Sequence, residues 1–277
     1  MQLPIASNSQ TVPPVVLTVA GSDSGGGAGI QADLRTFASY RVHGTVVVTA
    51  VTAQNTLGVE RVDALSPESV SAQFHALVSD LKIQALKTGV LVNAPLVETV
   101  AKHLKTLNLS NIVVDPVMVS RAGAVFVDSA TIAALKSSLI PQALILTPNR
   151  YEAQILADLE ITNLATMKTA AQKILELGCQ SVLVKGGAMT GELRGLDVWA
   201  SWQQLEILQT ELIETPHTHG SGCTLAAAIT ANLAWGETPL TAIQKAKDFV
   251  TQALKHSYPI GAGQGPLGHF YVGFPSS

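Results

Sequence analysis

The chain is short of cysteine, aromatic residues and charge. Its two cysteines, Cys179 and Cys223, are too few for a disulfide framework, which fits a reducing compartment. Only 13% of the 277 residues are charged, the net charge is −3 and no basic cluster occurs, so a nucleic-acid surface is excluded. With 47% hydrophobic residues, that shortage of charge also excludes disorder and implies a well-buried core. No uninterrupted apolar run is long enough to cross a bilayer. No Lys or Arg precedes Arg35, and Pro4, Pro13 and Pro14 break the early apolar stretch, so no secretory signal is expected. These absences predict a cytoplasmic protein with no membrane and no nucleic-acid partner.

Residues 1–14 read as a loose tail and 15–277 as one domain. Val15–Ala20 is a continuous apolar run, as in a strand buried on both faces. The glycine loop Gly21–Gly29 follows, then a helix whose predicted inward stripe is Ile30, Leu34, Phe37 and Ala38. A strand is predicted over Val46–Ala50. Ser66-Pro67-Glu68, Asn93 with Pro95, Asp128 and Thr238-Pro239 have the form of helix starts. Further helices are expected over 166–177 and up to Trp235. Short strands are expected at 83–87, 112–114, 144–146, 181–184, 197–200 and 205–208. Strand and helix alternate without repeat or low-complexity linker, which predicts a doubly wound, mostly parallel sheet with helices on both faces.

The most informative stretch is Thr215–Leu225, Thr-Pro-His-Thr-His-Gly-Ser-Gly-Cys-Thr-Leu, ahead of an alanine-rich helix. Gly220-Ser221-Gly222 at a helix start gathers unpaired N–H groups and the positive dipole end, a site for an anion. The same field is expected to lower the thiol pKa of Cys223. The glycine loop at 21–29 lacks the Gly-Lys-Ser/Thr ending of a P-loop. Gly27-Ala28-Gly29-Ile30-Gln31-Ala32 fits a dinucleotide fingerprint, but no acid follows the next strand to hold a ribose. His217, His219 and Cys223 lack a fourth zinc ligand at workable spacing. The apolar runs end in Asp23, Gln54, Asp115, Asn149 with Glu152, and Lys185, which should converge on the rim beyond the strands. Asp23 either points into that site or turns back to cap the helix, and each acid alone can be read as a cap or a surface pair. Together the set suits a nucleoside triphosphate with Mg²⁺.

The ordered motifs Ala20-Gly21-Ser22-Asp23, Gly25–Leu34, Thr52-Ala53-Gln54-Asn55-Thr56, Lys87-Thr88-Gly89, Asp115–Val119, Thr147-Pro148-Asn149, Glu152-Ala153, Val184–Gly187 and His217–Thr224 resemble those of the hydroxymethylpyrimidine/phosphomethylpyrimidine kinases. These are thiamine-biosynthesis enzymes of the ribokinase-like superfamily. The resemblance implies a three-layer ribokinase-like fold without a large lid domain. It also implies ATP and Mg²⁺ as cofactors, hydroxymethylpyrimidine and its monophosphate as substrates, and a homodimer. It assigns Gly21, Asp23, Ala28, Gln54 and Val117 to the aminopyrimidine. Lys185, Asn149, Thr218, Gly220 and Gly222 go to the nucleotide and its phosphates, and Asp115 and Glu152 to the metal. Gly220, Ser221 and Gly222 form the anion hole, and Lys185 and Cys223 complete the catalytic set. Cys223 stands where sugar kinases of the superfamily carry a catalytic Asp and is the candidate base. The sequence departs from many relatives at Val90, Arg121 and Ala188. Pyridoxine or pyridoxal is an alternative substrate, and an inactive pyrimidine-binding regulator is the alternative of another class.

Overall fold

The computed structural model describes residues 12–118, 127–187, 189 and 194–271. Most of the expected tail, together with Val119, Arg121 and Ala188, lies outside the described residues. The strands are β1 (Val15–Asp23), β2 (His43–Gln54), β3 (Val59–Ala64), β4 (Ile83–Thr88), β5 (Ile112–Val114), β6 (Ile145–Leu146), β7 (Ser181–Val184), β8 (Leu196–Ser201) and β9 (Leu205–Gln209). They form one nine-stranded sheet in the order β3-β2-β1-β4-β5-β6-β7-β8-β9. Pairing is parallel from β2 through β7 and antiparallel at β3, β8 and β9. No helix among the described residues is long and apolar enough to cross a membrane.

The apolar strands alternate between two buried faces. Val16, Ala85, Val113, Ile145 and Leu183 meet one helix layer, made of α1 (Gly29–Ser39), α7 (Ser221–Ala234) and α8 (Pro239–Lys255). Leu17, Leu86, Val114, Leu146 and Val182 meet the other. That layer comprises α2 (Pro67–Val78), α3 (Ala94–Thr106), α4 (Ser129–Ala134), α5 (Arg150–Ala157) and α6 (Leu164–Leu175). A parallel strand covered on both sides needs such a two-sided pattern. The three-layer, doubly wound architecture follows from it, as the resemblance implied.

Helix starts separate into two kinds. Ser66, Asn93 and Asp128 accept from the N–H three residues on, at 3.2, 3.0 and 2.8 Å. Asn149, Asn163 and Thr238 cap α5, α6 and α8 in the same way. Among α1 to α8, α1 and α7 are the two that begin without a side-chain cap. Their amino ends therefore keep N–H groups and positive dipole for other partners.

Three local expectations are corrected. β3 was not foreseen, because Val59-Glu60-Arg61-Val62-Asp63-Ala64 reads as polar. It is an exposed edge strand, where charged side chains belong. β2 runs well beyond the expected 46–50. The inward stripe of α1 is Ala32, Asp33, Thr36 and Phe37, while Leu34 and Ala38 face outward. The polar residue Asp33 turns inward because Lys87 and Thr18 hold it from the sheet.

Helix α7 is buried almost all round, and the carboxyl-terminal segment pins its start. Thr224 Oγ1 donates to Nε2 of His269 at 2.8 Å, while Nδ1–H of His269 donates to the Leu267 carbonyl at 3.1 Å. Burial, with the charge of Arg35 nearby, pushes His269 down to about 4. Its neutral ring thus contributes stability that is complete above the unfolded pKa of about 6.5 and is lost as pH falls through about 4. Urea titrations should show a loss of about 2 kcal/mol from this group between pH 7.5 and 5. His269→Gln should remove that share of the pH dependence; an unchanged slope would contradict it.

Candidate active site

β1 pairs with β2 on one side and β4 on the other, so the chain order reverses there and opens a crevice beyond the strand ends. A cavity of about 980 Å³ occupies that crevice. The structure brings every sequence-predicted site residue to its wall. Gly21, Asp23, Ala28, Gln54 and Val117 lie toward β1, β2 and β5. Asp115, Asn149, Glu152 and Lys185 follow β5, β6 and β7, and Thr218 through Cys223 enter α7. Val90 also lines the cavity, against Gly21, and so forms one wall.

Gly220 is the N-cap of α7 with φ 84° and ψ 3°. A left-handed residue here turns the loop sharply into the helix, and glycine takes that conformation without strain. The N-terminal turn of α7 faces Lys185 and Asp115. A Cβ on Gly222 would stand 3.4 Å from Lys185 Nζ and 4.0 Å from Asp115 Oδ2. Lys185 Nζ donates to Asp115 Oδ1 at 3.0 Å, and Thr147 Oγ1 donates to the same oxygen at 3.0 Å. Burial opposes the charge on Lys185, but Asp115 and Glu152 outweigh it and hold the ammonium above its ordinary pKa. Asp197 steadies the adjoining loop. It accepts from the Gly186 N–H at 2.9 Å and is ion-paired to Lys247.

Asn149 and Glu152 form a capping box. The Asn149 side chain accepts from the Glu152 N–H at 3.0 Å, and Glu152 Oε2 accepts from the Asn149 N–H at 2.8 Å. Glu152 Oε1 accepts from the Met118 N–H at 3.3 Å. Both residues thus hold the loop as well as lining the cavity. Burial pushes Glu152 up to about 7 against the pull of Lys185, and Asp115 adds to the rise. Two buried carboxylates facing one ammonium are short of positive charge, and this donor set suits a hard divalent cation bound partly through water. Among the described residues no group of three or more His, Cys, Asp or Glu is placed to hold a metal ion by itself.

Asp23 is committed to its own loop. Its carboxylate accepts from the N–H groups of Gly25, Gly27 and Ala28 at 2.8, 3.1 and 2.8 Å. His219 Nε2 lies 2.9 Å from Oδ2. Although burial raises the Asp23 pKa, His219 and the loop N–H groups bring it below the usual carboxylate value. Asp23 thus holds its loop and does not cap the helix as one sequence reading had it, since α1 has no side-chain cap, and its side chain still lines the cavity. His219 Nε2 also lies 3.2 Å from the Gln54 side-chain amide. An ionised Asp23 only accepts, so Nε2 carries a hydrogen. Turning the Gln54 amide over, from nitrogen toward His219 and oxygen toward Thr52, lets its carbonyl oxygen accept from Nε2–H and leaves its NH₂ for Thr52 and the cavity.

Cys223 departs from the expectation of a lowered thiol pKa. The sulfur is in the first turn of α7 and lines the cavity together with Gly29, the first residue of α1. Even so, burial pushes the thiol up to about 11, with Lys87 pulling down and Asp33 and Asp115 pushing up. The helix field was legible in the sequence, whereas the desolvation that outweighs it was not. Sequence reasoning also gave no role to Lys87, Asp33, His219, Asp197 or Lys247. The available signal for Lys87 was an ionisable residue inside an apolar strand.

The sequence profile of the phosphomethylpyrimidine kinase family matches residues 23–268. A hydroxymethylpyrimidine/phosphomethylpyrimidine kinase of Synechococcus elongatus is 61% identical over 258 residues, 93% of this chain and 98% of that protein. Among solved structures, an ADP complex of Bacillus subtilis pyridoxal kinase is similar with a TM-score of 0.87 at 37% identity, covering 94% of this chain and 98% of the other. A phosphomethylpyrimidine kinase of Clostridium difficile 630 is similar with a TM-score of 0.78 at 37% identity, covering 87% and 99%.

Proposed function

As the chain belongs to the phosphomethylpyrimidine kinase family, it is a phosphotransferase acting on hydroxymethylpyrimidine and its monophosphate in thiamine biosynthesis, and we infer that the rim residues divide the work of transfer from ATP as follows. The observation that carries this reading is the convergence of the two uncapped helix starts, α1 and α7, on Lys185 and the Cys223 thiol. The N–H groups around Gly220–Gly222 hold the migrating phosphoryl group, and Lys185 with Asn149 and Thr218 faces the nucleotide phosphates. The substrate hydroxyl attacks the γ-phosphorus; its proton passes to Cys223 and ADP leaves. Transfer proceeds through a loose transition state, so positioning and charge neutralisation carry most of the rate. Mg²⁺, when bound, supplies further neutralisation of the phosphates; Asp115, and Glu152 through water, would hold it.

The aminopyrimidine lies against Gly21, Ala28 and Val117, with the Gln54 NH₂ directed at a ring nitrogen. Asp23 shapes this pocket through its loop and His219. That same donor suits a pyridine ring, and the likeness to a pyridoxal kinase makes pyridoxine the second substrate to test. A homodimer belongs to the same proposal, on the family resemblance alone. We place the enzyme in the cytoplasm.

A coupled ADP-release assay compares hydroxymethylpyrimidine, its monophosphate and pyridoxine in Mg·ATP. Turnover of the first two, abolished by EDTA, is the expected result. Release with pyridoxine alone would reassign the substrate.

A further inference from the structure

β4 carries an ionisable residue in a strand buried on both faces, where a charge is costly. Lys87 is fully buried, and its Nζ donates to Asp33 Oδ2 at 2.9 Å and Oδ1 at 3.0 Å. Thr18 Oγ1 donates to Oδ2 at 2.6 Å. A buried pair of this kind seldom repays its own desolvation, so stability alone gives little reason for it. Its position suggests another. Asp33 lies one helical turn beyond Gly29 on α1, whose start abuts the start of α7 at Ala28 and Gly220, and Lys87 shares with Ala85 the face of β4 that meets both helices. Lys87 lines the cavity together with Cys223. Gly89 leaves the ammonium uncovered on one side, since a Cβ there would stand 3.4 Å from Nζ. Sulfur, ammonium and carboxylate thus gather along the first turn of α1.

We propose that Lys87, held in place by Asp33, is a positioning residue for Cys223, its ammonium supplying the counter-charge that lets the sulfur accept the substrate's proton. The proposal rests on the reading of Cys223 as proton acceptor. The charges felt by the sulfur are Lys87 from β4, Asp33 from α1, Asp115 beyond β5 and Lys185 beyond β7. Of these, only Lys87 and Asp33 can be altered without touching a group assigned to nucleotide or metal. Asp33 ties the ammonium from below, and the sulfur competes with it for the same charge.

That competition gives the two substitutions opposite signs. Iodoacetamide alkylates the thiolate, so site-resolved mass spectrometry between pH 7 and 10 reads Cys223 apart from buried Cys179. Lys87→Met should slow alkylation of Cys223 at pH 8.5 by about tenfold or more, one unit of thiol pKa. Asp33→Asn, which leaves the ammonium with the sulfur as its nearest anion, should speed it by about threefold or more. The pair variant Asp33→Asn/Lys87→Met leaves no buried charge unpaired and keeps the test open if a single variant does not fold. It should alkylate more slowly than the parent. Changes of the same direction in both single variants, or a parental rate in the pair variant, would overturn the proposal. Opposite shifts in alkylation beside an unmoved pH profile of kcat would uphold the charge coupling and sink the assignment of Cys223 as base.

Discussion

Gly220→Ala is expected to lose turnover by about 10³ or more and to destabilise the fold by about 3–4 kcal/mol. A Cβ at this position would overlap the carbonyl oxygen of Gly27. The clash is with backbone, so no rotamer change relieves it. Gly27 cannot retreat easily. Its N–H is held by Asp23 at 3.1 Å, and the ring of His219 fills the place where its own side chain would be. At φ 84° an alanine also adds the left-handed penalty of about 1–2 kcal/mol. The α1 loop and the start of α7 must therefore part, and the two uncapped helix ends that face the phosphoryl group part with them. Gly222→Ala separates folding from chemistry. That residue is helical, its added Cβ meets no backbone, and alanine favours a helix by up to about 1 kcal/mol. The methyl group enters the space between Lys185 and Asp115, so turnover should drop by about 10² while the urea midpoint holds or rises. Parental turnover in Gly220→Ala would remove the anion hole from the mechanism.

The legible features were those with local causes. Ser66, Asn93, Asp128 and Thr238 cap the helices they were expected to cap, since the interaction spans three residues and needs nothing from the rest of the chain. The doubly wound sheet was legible for a related reason, as strands covered on both faces read as unbroken apolar runs. What escaped depends on distant partners. Asp33 looks like a solvent-facing residue until Lys87 is brought against it from a strand 54 positions away. His219 looks like a spare ligand until it lies on Gly27 and beside Asp23, 196 positions back. Asn149 and Glu152 show the converse: capping was weighed for the acid alone and set aside in favour of the site, whereas the two form a local capping box and line the site as well.

Cys223→Ala should cut turnover by about 10²–10⁴, the range of general-base assistance, and Cys223→Ser should not restore it. Two contributions of the sulfur are separable here. As a half-buried side chain in the first turn of α7 it packs at the cavity wall, and its loss should cost about 1 kcal/mol of stability. A serine side chain is close in size, so the serine variant should recover most of that stability. As a base the sulfur must be ionised, and burial has pushed the thiol up to about 11. Below that value the thiolate fraction rises about tenfold per pH unit. Parental kcat should therefore climb between pH 7 and 9. A serine hydroxyl gives up its proton far less readily, so both variants should show a flat profile in the same range. Substrate and nucleotide affinities should change little, since the anion hole and Lys185 remain. Recovery of turnover along with stability in Cys223→Ser would mean that the residue only orients the hydroxyl. The rate would then rest on the helix starts and Lys185 alone, and the alkaline limb would have to belong to another group.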